Sequence, residues 1–432
     1  MTAKDRLISF LERRLERKRV RFVCVAIMAA TLVLLAISFI TCRDGQTVFG
    51  TQLGADYAAF YIAGQILNEG SVERLYDLDL QHKRYHQLFP RAPRYESLPY
   101  VYPPFVAFCF RPLALLPYEW SYATWLGVSL GFFLAAVASM RKTFDVVPPE
   151  HTSTIVLLLL SFEPFLMECW VGGQLSAIGL FWVALGLYCL RLNRPVAAGA
   201  AFALCLYKPT LLMLILPMLV VGRRYRMLLG FLISALGLAA VSFVLLGGRG
   251  CAEYVRLLTG FTQATSHGSS VFRLWKFVDL ASFFNQLQGG HTKFGLAIMA
   301  ALFVVGLWLL GRAWWRCRPG DTRENLLWAC TLTWTLVLNL YVCIYETVLV
   351  LPAMILITGV FWRGPGSLSP SLPPLFRALL VFLYVTPWFS QYLAQATRIQ
   401  LYTLVLLAAG AYPLWLASRS RITDDGVATT AR

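Results

Sequence analysis

Charge is scarce in this chain. Asp, Glu, Lys and Arg make up 14% of its 432 residues, against roughly 25% in a soluble domain, and 58% of the residues are hydrophobic. That deficit excludes a soluble globular protein of this length and leaves no room for a large soluble domain. Acids are scarcer than bases, 22 against 38, and there are five histidines. The chain has no HExxH, no P-loop and no GxGxxG fingerprint, so cytosolic nucleotide chemistry and metalloprotease chemistry find no support. His82 and His86 share a helix face but lack a third ligand in a recognisable pattern, so neither a metal nor a cofactor is expected. The ten cysteines form no CxxC pair; most lie within apolar runs and read as small buried hydrophobes. Internal repeats are also missing, which weighs against transporter folds built from two related halves.

What is present is a succession of apolar runs along almost the whole length. They predict an all-α polytopic membrane protein with 12 or 13 transmembrane or partial helices. Residues 1–21 are basic, with Leu7, Ile8, Leu11 and Leu15 at helical spacing, which predicts an amphipathic helix on the cytoplasmic membrane face. Residues 22–42 carry no charge and suffice to cross a bilayer. No small-residue cleavage site follows, so this is a retained first span. The membrane domain then covers residues 22–418, with polar loops at 43–101 and 247–291 and a tail at 419–432.

The net charge of +16 is not spread evenly. It sits in short clusters such as Arg17-Lys18-Arg19, Arg141-Lys142, Arg223-Arg224 and residues 312–318 and 419–421. This is the positive-inside pattern, with membrane lipids rather than nucleic acid as partners. It places the N-terminus in the cytoplasm and both polar loops outside. Tyr100-Val101-Tyr102-Pro103-Pro104 starts a helix, since tandem prolines suit a first turn. Residues 102–116 are short for a crossing and predict a re-entrant or partial helix. A competing solution joins residues 195–221 into one kinked span.

Ionisable residues at membrane depth are costly, so each asks for a reason. Asp56, just past the first span, is either the cap of a helix starting at Tyr57 or a general base. Lys208, in Leu206-Tyr207-Lys208-Pro209, either snorkels from a helix end or pairs with a phosphate. Gln174 follows Gly172-Gly173 and either satisfies a tight turn or hydrogen-bonds a sugar hydroxyl. Glu346 is a dipole-favoured acid at a helix start or a second acid that orients a sugar. His267 and Arg273, in the second loop, are solvated polarity or a phosphate-binding pair. The aromatics Tyr57, Tyr61 and Tyr102 anchor the interface or contact a sugar.

The blocks Asp56-Tyr57-Ala58-Ala59-Phe60-Tyr61-Ile62-Ala63-Gly64, Tyr102-Pro103-Pro104, Gly173-Gln174, Lys208-Pro209 and Tyr345-Glu346 occur in that order. Together they resemble glycosyltransferase family 87, whose late block usually reads Tyr-Asp. The resemblance implies a GT-C fold and a polyprenyl-phosphate-sugar donor, with mannose the leading sugar, as in mannosyltransferases of this kind. It implies a lipid or cell-envelope glycan acceptor and an active site on the extracytoplasmic face of a bacterial inner membrane. The catalytic carboxylate would be Asp56. Lys208, His267 and Arg273 would bind the donor phosphate, and Tyr57, Tyr61, Tyr102, Gln174 and Glu346 would contact sugar or acceptor. Two other readings stay open from sequence: a transporter or flippase of lipid-linked sugars, and a non-catalytic membrane protein of envelope assembly.

Overall fold

The computed structural model describes residues 17–93, 98–143, 149–266, 273–290, 292–321, 323–362 and 372–419. Of the described residues, 79% are helical. Among the described residues the only extended pairings are isolated bridges, one of them between Phe277 and Cys343. It is an all-α polytopic membrane protein. Among the described residues, six helices are long and apolar enough to cross a membrane: Arg17–Thr41, Tyr118–Thr143, Tyr225–Gly260, Lys293–Trp315, Ile344–Phe361 and Leu401–Arg419. Several of them turn large apolar side chains outward, such as Phe22, Ile40, Val244 and Phe294. On a chain this apolar such faces meet lipid.

The remaining apolar runs are shorter or broken, and the breaks follow from proline. His151–Leu160 and Pro164–Val171 form one bent pair, 49° apart, because Pro164 has no N–H to continue the ladder. The run at 195–221 divides at Lys208 and Pro209 into Pro195–Tyr207 and Pro209–Val221. The helix after Pro103 covers only Pro104–Phe110, about 10 Å at 1.5 Å per residue, and cannot cross.

Two polar regions flank this bundle. The first loop folds into the Tyr57–Asn68 and Leu78–Leu88 helices. Tyr57–Asn68 is almost wholly buried, packed on Pro104–Phe110 and the turn at Leu113–Leu115. The second polar loop begins as helix. Gly247 has φ 68° and ψ 177°, a kink, and the helix then continues to Ser266. Hydropathy marks where the chain leaves the apolar layer, not where the helix stops. The predicted amphipathic helix falls mostly outside the described residues, as does the tail after Arg419.

Pro195–Ala203 lies tightly against the Tyr225–Ser266 helix. A Cβ on Gly199 would come within 1.9 Å of the Met227 carbonyl oxygen, and one on Gly230 within 1.9 Å of that of Val196. Backbone cannot yield as a side chain can. We expect Gly199→Val and Gly230→Val each to destabilise the protein by about 1–3 kcal/mol, seen as a lower Tm in detergent. Gly237→Val, which meets open space, should leave Tm nearly unchanged.

Candidate active site

The first loop approaches the bundle through a strained turn. Gly54 has φ 71° and Ala55 φ 29°, and the Tyr57 amide donates to the Gly54 carbonyl at 2.6 Å. Asp56 follows at the N-terminus of the Tyr57–Asn68 helix, but its side chain makes no capping hydrogen bond. The cap reading therefore fails. The carboxylate turns the other way, and Gln174 Nε2 donates to its Oδ2. The Asp56 amide donates to the Gly172 carbonyl at 3.2 Å. Gly173, with φ 79°, admits this approach, since a Cβ there would stand 2.6 Å from the Tyr57 Cβ.

Gln174 is buried, and both ends of its amide are used. Its Oε1 accepts the Tyr102 hydroxyl at 3.3 Å. Burial pushes the Tyr102 hydroxyl well up from its ordinary range, and the Glu346 and Asp56 carboxylates push it further. Tyr102 thus lies within the fields of both acids.

Lys208 occupies the break between two short 3-10 turns, with φ −140°. Its Nζ meets Glu346 Oε1 at 2.7 Å, with Glu346 only 2% exposed, and lies 4.8 Å from the centre of the Tyr345 ring. The interrupted helix leaves backbone groups to satisfy, and Asn339 Nδ2 donates to the Thr210 carbonyl at 2.7 Å. The helical turn Ile344–Leu349 that carries Glu346 packs on Pro164–Val171. Asp279 fixes the approach to that turn. It is fully buried and accepts from the Ser282 and Val342 amides at 2.9 and 2.8 Å. Burial lifts its carboxyl to about 6, against the pull of these hydrogen bonds.

The cations nearest in effect to Asp56 are Lys276 and Lys208. Burial raises the Asp56 carboxyl above the ordinary carboxylate range, the Gln174 hydrogen bond and the two lysines draw it down, and Glu168 pushes it up. Lys276 ends the Leu274–Lys276 turn, with its Nζ 3.6 Å from Glu168 Oε2. Glu168 Oε1 accepts from Gln391 Nε2 at 2.7 Å. Glu168 is one of the ionisable residues that stand out at membrane depth in the sequence, whereas sequence reading missed Lys276. The second loop carries several cations, and nothing in its spacing separates Lys276 from Arg273.

The structure therefore gathers Asp56, Tyr102, Gln174, Lys208 and Glu346, drawn from five separate stretches of chain. A residues 100–352 match to the model of glycosyltransferase family 87 covers more than half of the chain. The chain belongs to this family. It is therefore a glycosyltransferase. The matched region includes Tyr102, Gln174, Lys208, Lys276 and Glu346, while Asp56 precedes its first residue. No curated protein and no solved structure matches the chain.

Two expectations for this glycosyltransferase are corrected. Tyr57 and Tyr61 do not face the site. Tyr57 shares a hydrogen bond with Ser121 and is packed among Tyr118, Tyr122 and Trp125. Tyr61 donates to the Leu116 carbonyl at 2.9 Å. Both are core residues, 0% and 5% exposed, with no face left for a sugar. Arg273 is exposed at the start of the turn that ends in Lys276, and His267 lies outside the described residues. Among the described residues no group of three or more His, Cys, Asp or Glu side chains could hold a metal.

The Lys208–Glu346 pair generates a test. Removing one partner of a buried ion pair leaves an uncompensated charge, at a cost of about 3–5 kcal/mol. Lys208→Met is expected to lower Tm sharply, and adding Glu346→Leu should recover most of the loss. A double variant as unstable as Lys208→Met alone would show that the two side chains are not coupled.

Proposed function

We propose that this glycosyltransferase moves a sugar, mannose foremost, from a polyprenyl-phosphate-linked donor to a hydroxyl of a lipid or cell-envelope glycan. The reaction takes place on the extracytoplasmic face of a bacterial inner membrane, within a GT-C fold, with Asp56 as general base. One observation carries the assignment of the base: the Asp56 carboxylate is not spent on its helix cap but is held by Gln174 beside two lysines. A carboxylate with no catalytic task would more simply cap the helix it begins.

Gln174 takes Oδ2, so Oδ1 is the oxygen that receives the proton. The acceptor hydroxyl gives its proton to Asp56 as its oxygen attacks the anomeric carbon. The bond from that carbon to the phosphate oxygen breaks, and the phosphate leaves with the electron pair. One carboxylate suffices when attack and departure occur on opposite faces, so the transfer inverts the anomeric centre. Lys276 and Lys208 stabilise the charge that grows on the phosphate. Tyr102 lines the approach of sugar or acceptor, and Glu346 holds Lys208 in place. The basic clusters at Arg141-Lys142, Arg223-Arg224 and residues 312–318 support the orientation, since such residues favour the cytoplasmic side. The shortened, proline-broken helices support a lipid-linked donor, because irregular backbone at membrane depth is tolerated where it lines a cavity.

The base must be ionised, so activity should rise with pH as Asp56 loses its proton. Burial raises that carboxyl, so the acid limb should lie above the ordinary carboxylate range near 4. Asp56→Asn should lower kcat by about 10²–10⁴. The measurement is transfer of labelled sugar from a panel of polyprenyl-phosphate sugars across a pH series. An Asn variant as active as the wild type, or no transfer from any donor, defeats the proposal.

A further inference from the structure

A cavity of about 670 Å³ lies between the first loop and the far half of the kinked Tyr225–Ser266 helix. Its lining includes Glu73, Arg74, Tyr76 and Asp77 from the loop, and Glu253 and Arg256 from the helix. We infer that this cavity is a carbohydrate subsite that holds the non-reacting end of a neutral, polyhydroxylated acceptor. The inference rests on the proposed transfer and names the acceptor class that the same site would take.

Three observations lead there. The first is position. The apolar part of the helix, residues 225–246, spans about 33 Å at 1.5 Å per residue, already the thickness of a hydrocarbon core. Beyond the Gly247 kink the helix projects past that layer, carrying Glu253 and Arg256 one turn apart. The second is connection to Asp56. The Tyr76 hydroxyl donates to the Tyr102 carbonyl at 2.9 Å, the Tyr102 hydroxyl donates to Gln174, and Gln174 donates to Asp56. The cavity and the reactive carboxylate are thus two ends of one bonded unit, with Tyr102 between them. A ligand resting in the cavity and reacting at Asp56 must extend past Tyr102, so it is longer than one sugar.

The third observation is chemistry. Three carboxylates and two guanidiniums face the cavity, an excess of one negative charge. Arg74 and Asp77 pair with each other at 2.8 Å, which fixes one wall. An anionic headgroup would meet the carboxylates, and an apolar chain would strand both signs of charge without partners. A polyol satisfies both, because each hydroxyl donates to a carboxylate and accepts from a guanidinium. The Tyr76 ring, 5.5 Å from that of Tyr254, adds an aromatic wall. The volume fits the range of small-ligand sites, about 300–1,000 Å³.

Saturation-transfer NMR on the detergent-solubilised full chain tests this without turnover. The probes are methyl α-mannopyranoside, a mannobiose and, as the anionic comparison, glycerol phosphate. Saturation should reach the neutral sugars, mannobiose most, in both the wild type and Asp56→Asn. It should fall by at least about ten-fold in affinity in Glu253→Gln/Arg256→Gln, whose side chains are exposed on the helix surface and whose thermal melt checks the fold. No transfer to either sugar, equal transfer in the double variant, or stronger binding of glycerol phosphate would overturn the inference. Because binding is read apart from catalysis, a chain that binds these sugars through Glu253 and Arg256 yet uses no polyprenyl-phosphate donor refutes the proposed transfer and leaves the subsite standing.

Discussion

The cost of charge in an apolar medium shapes this molecule more than any other constraint. An unpaired ion at membrane depth costs several kcal/mol, so a charged side chain drawn inward gains from a partner, and here two such partners come from distant stretches. Lys208 and Glu346 are 138 residues apart and meet at 2.7 Å. Arg224 and Glu324 meet at 2.9 Å at another level of the bundle. Such pairs add little net stability compared with well-packed apolar side chains. What they do is fix which helix ends can adjoin, because a slipped register would strand a charge.

That constraint explains why the site is made of broken helices. An intact helix spends its backbone groups on itself and presents side chains at fixed intervals. The breaks at Pro164, at Gly172-Gly173 and at Lys208-Pro209 release the chain to bring Gln174, Lys208 and Glu346 to a common region. At the last of these breaks, Asn339 donates to the Thr210 carbonyl. The long, lipid-facing helices carry none of the gathered residues apart from Glu346, whose turn begins the buried Ile344–Phe361 segment. Scaffold and site are therefore separate populations of sequence: regular apolar runs outside, proline- and glycine-marked interruptions within.

The same division decides how much could be read from the sequence. Apolar runs announce helices through composition alone, so the class and the long spans were legible. Proline announces breaks, which made the short helix after Pro103 and the interruption at Lys208 legible too. Asp56, Gln174, Lys208 and Glu346 stood out because each is polar where the chain is otherwise apolar. Tyr57 and Tyr61 misled for the converse reason. A tyrosine reads the same whether its hydroxyl meets a sugar or, as here, Ser121 and a backbone carbonyl. Lys276 and the helix beyond Gly247 were hidden in a loop where polarity is ordinary. There, neither hydropathy nor spacing distinguishes a residue aimed at the site from one aimed at solvent.

The two lysines that bear on Asp56 are held differently, and the difference fits different tasks. Lys208 makes a short hydrogen-bonded pair with a carboxylate that is almost fully buried. Drawing it away would leave Glu346 charged and alone, so its ammonium is tied to one place. Lys276 is 3.6 Å from Glu168, beyond hydrogen-bonding distance, and more than a third of its side chain is exposed. Glu168 already has a second partner in Gln391, so losing Lys276 would not strand it. In the proposed transfer from a lipid-linked phosphate, Lys208 offers the charge that grows on the leaving group a fixed ammonium, and Lys276 offers one that is free to move toward it.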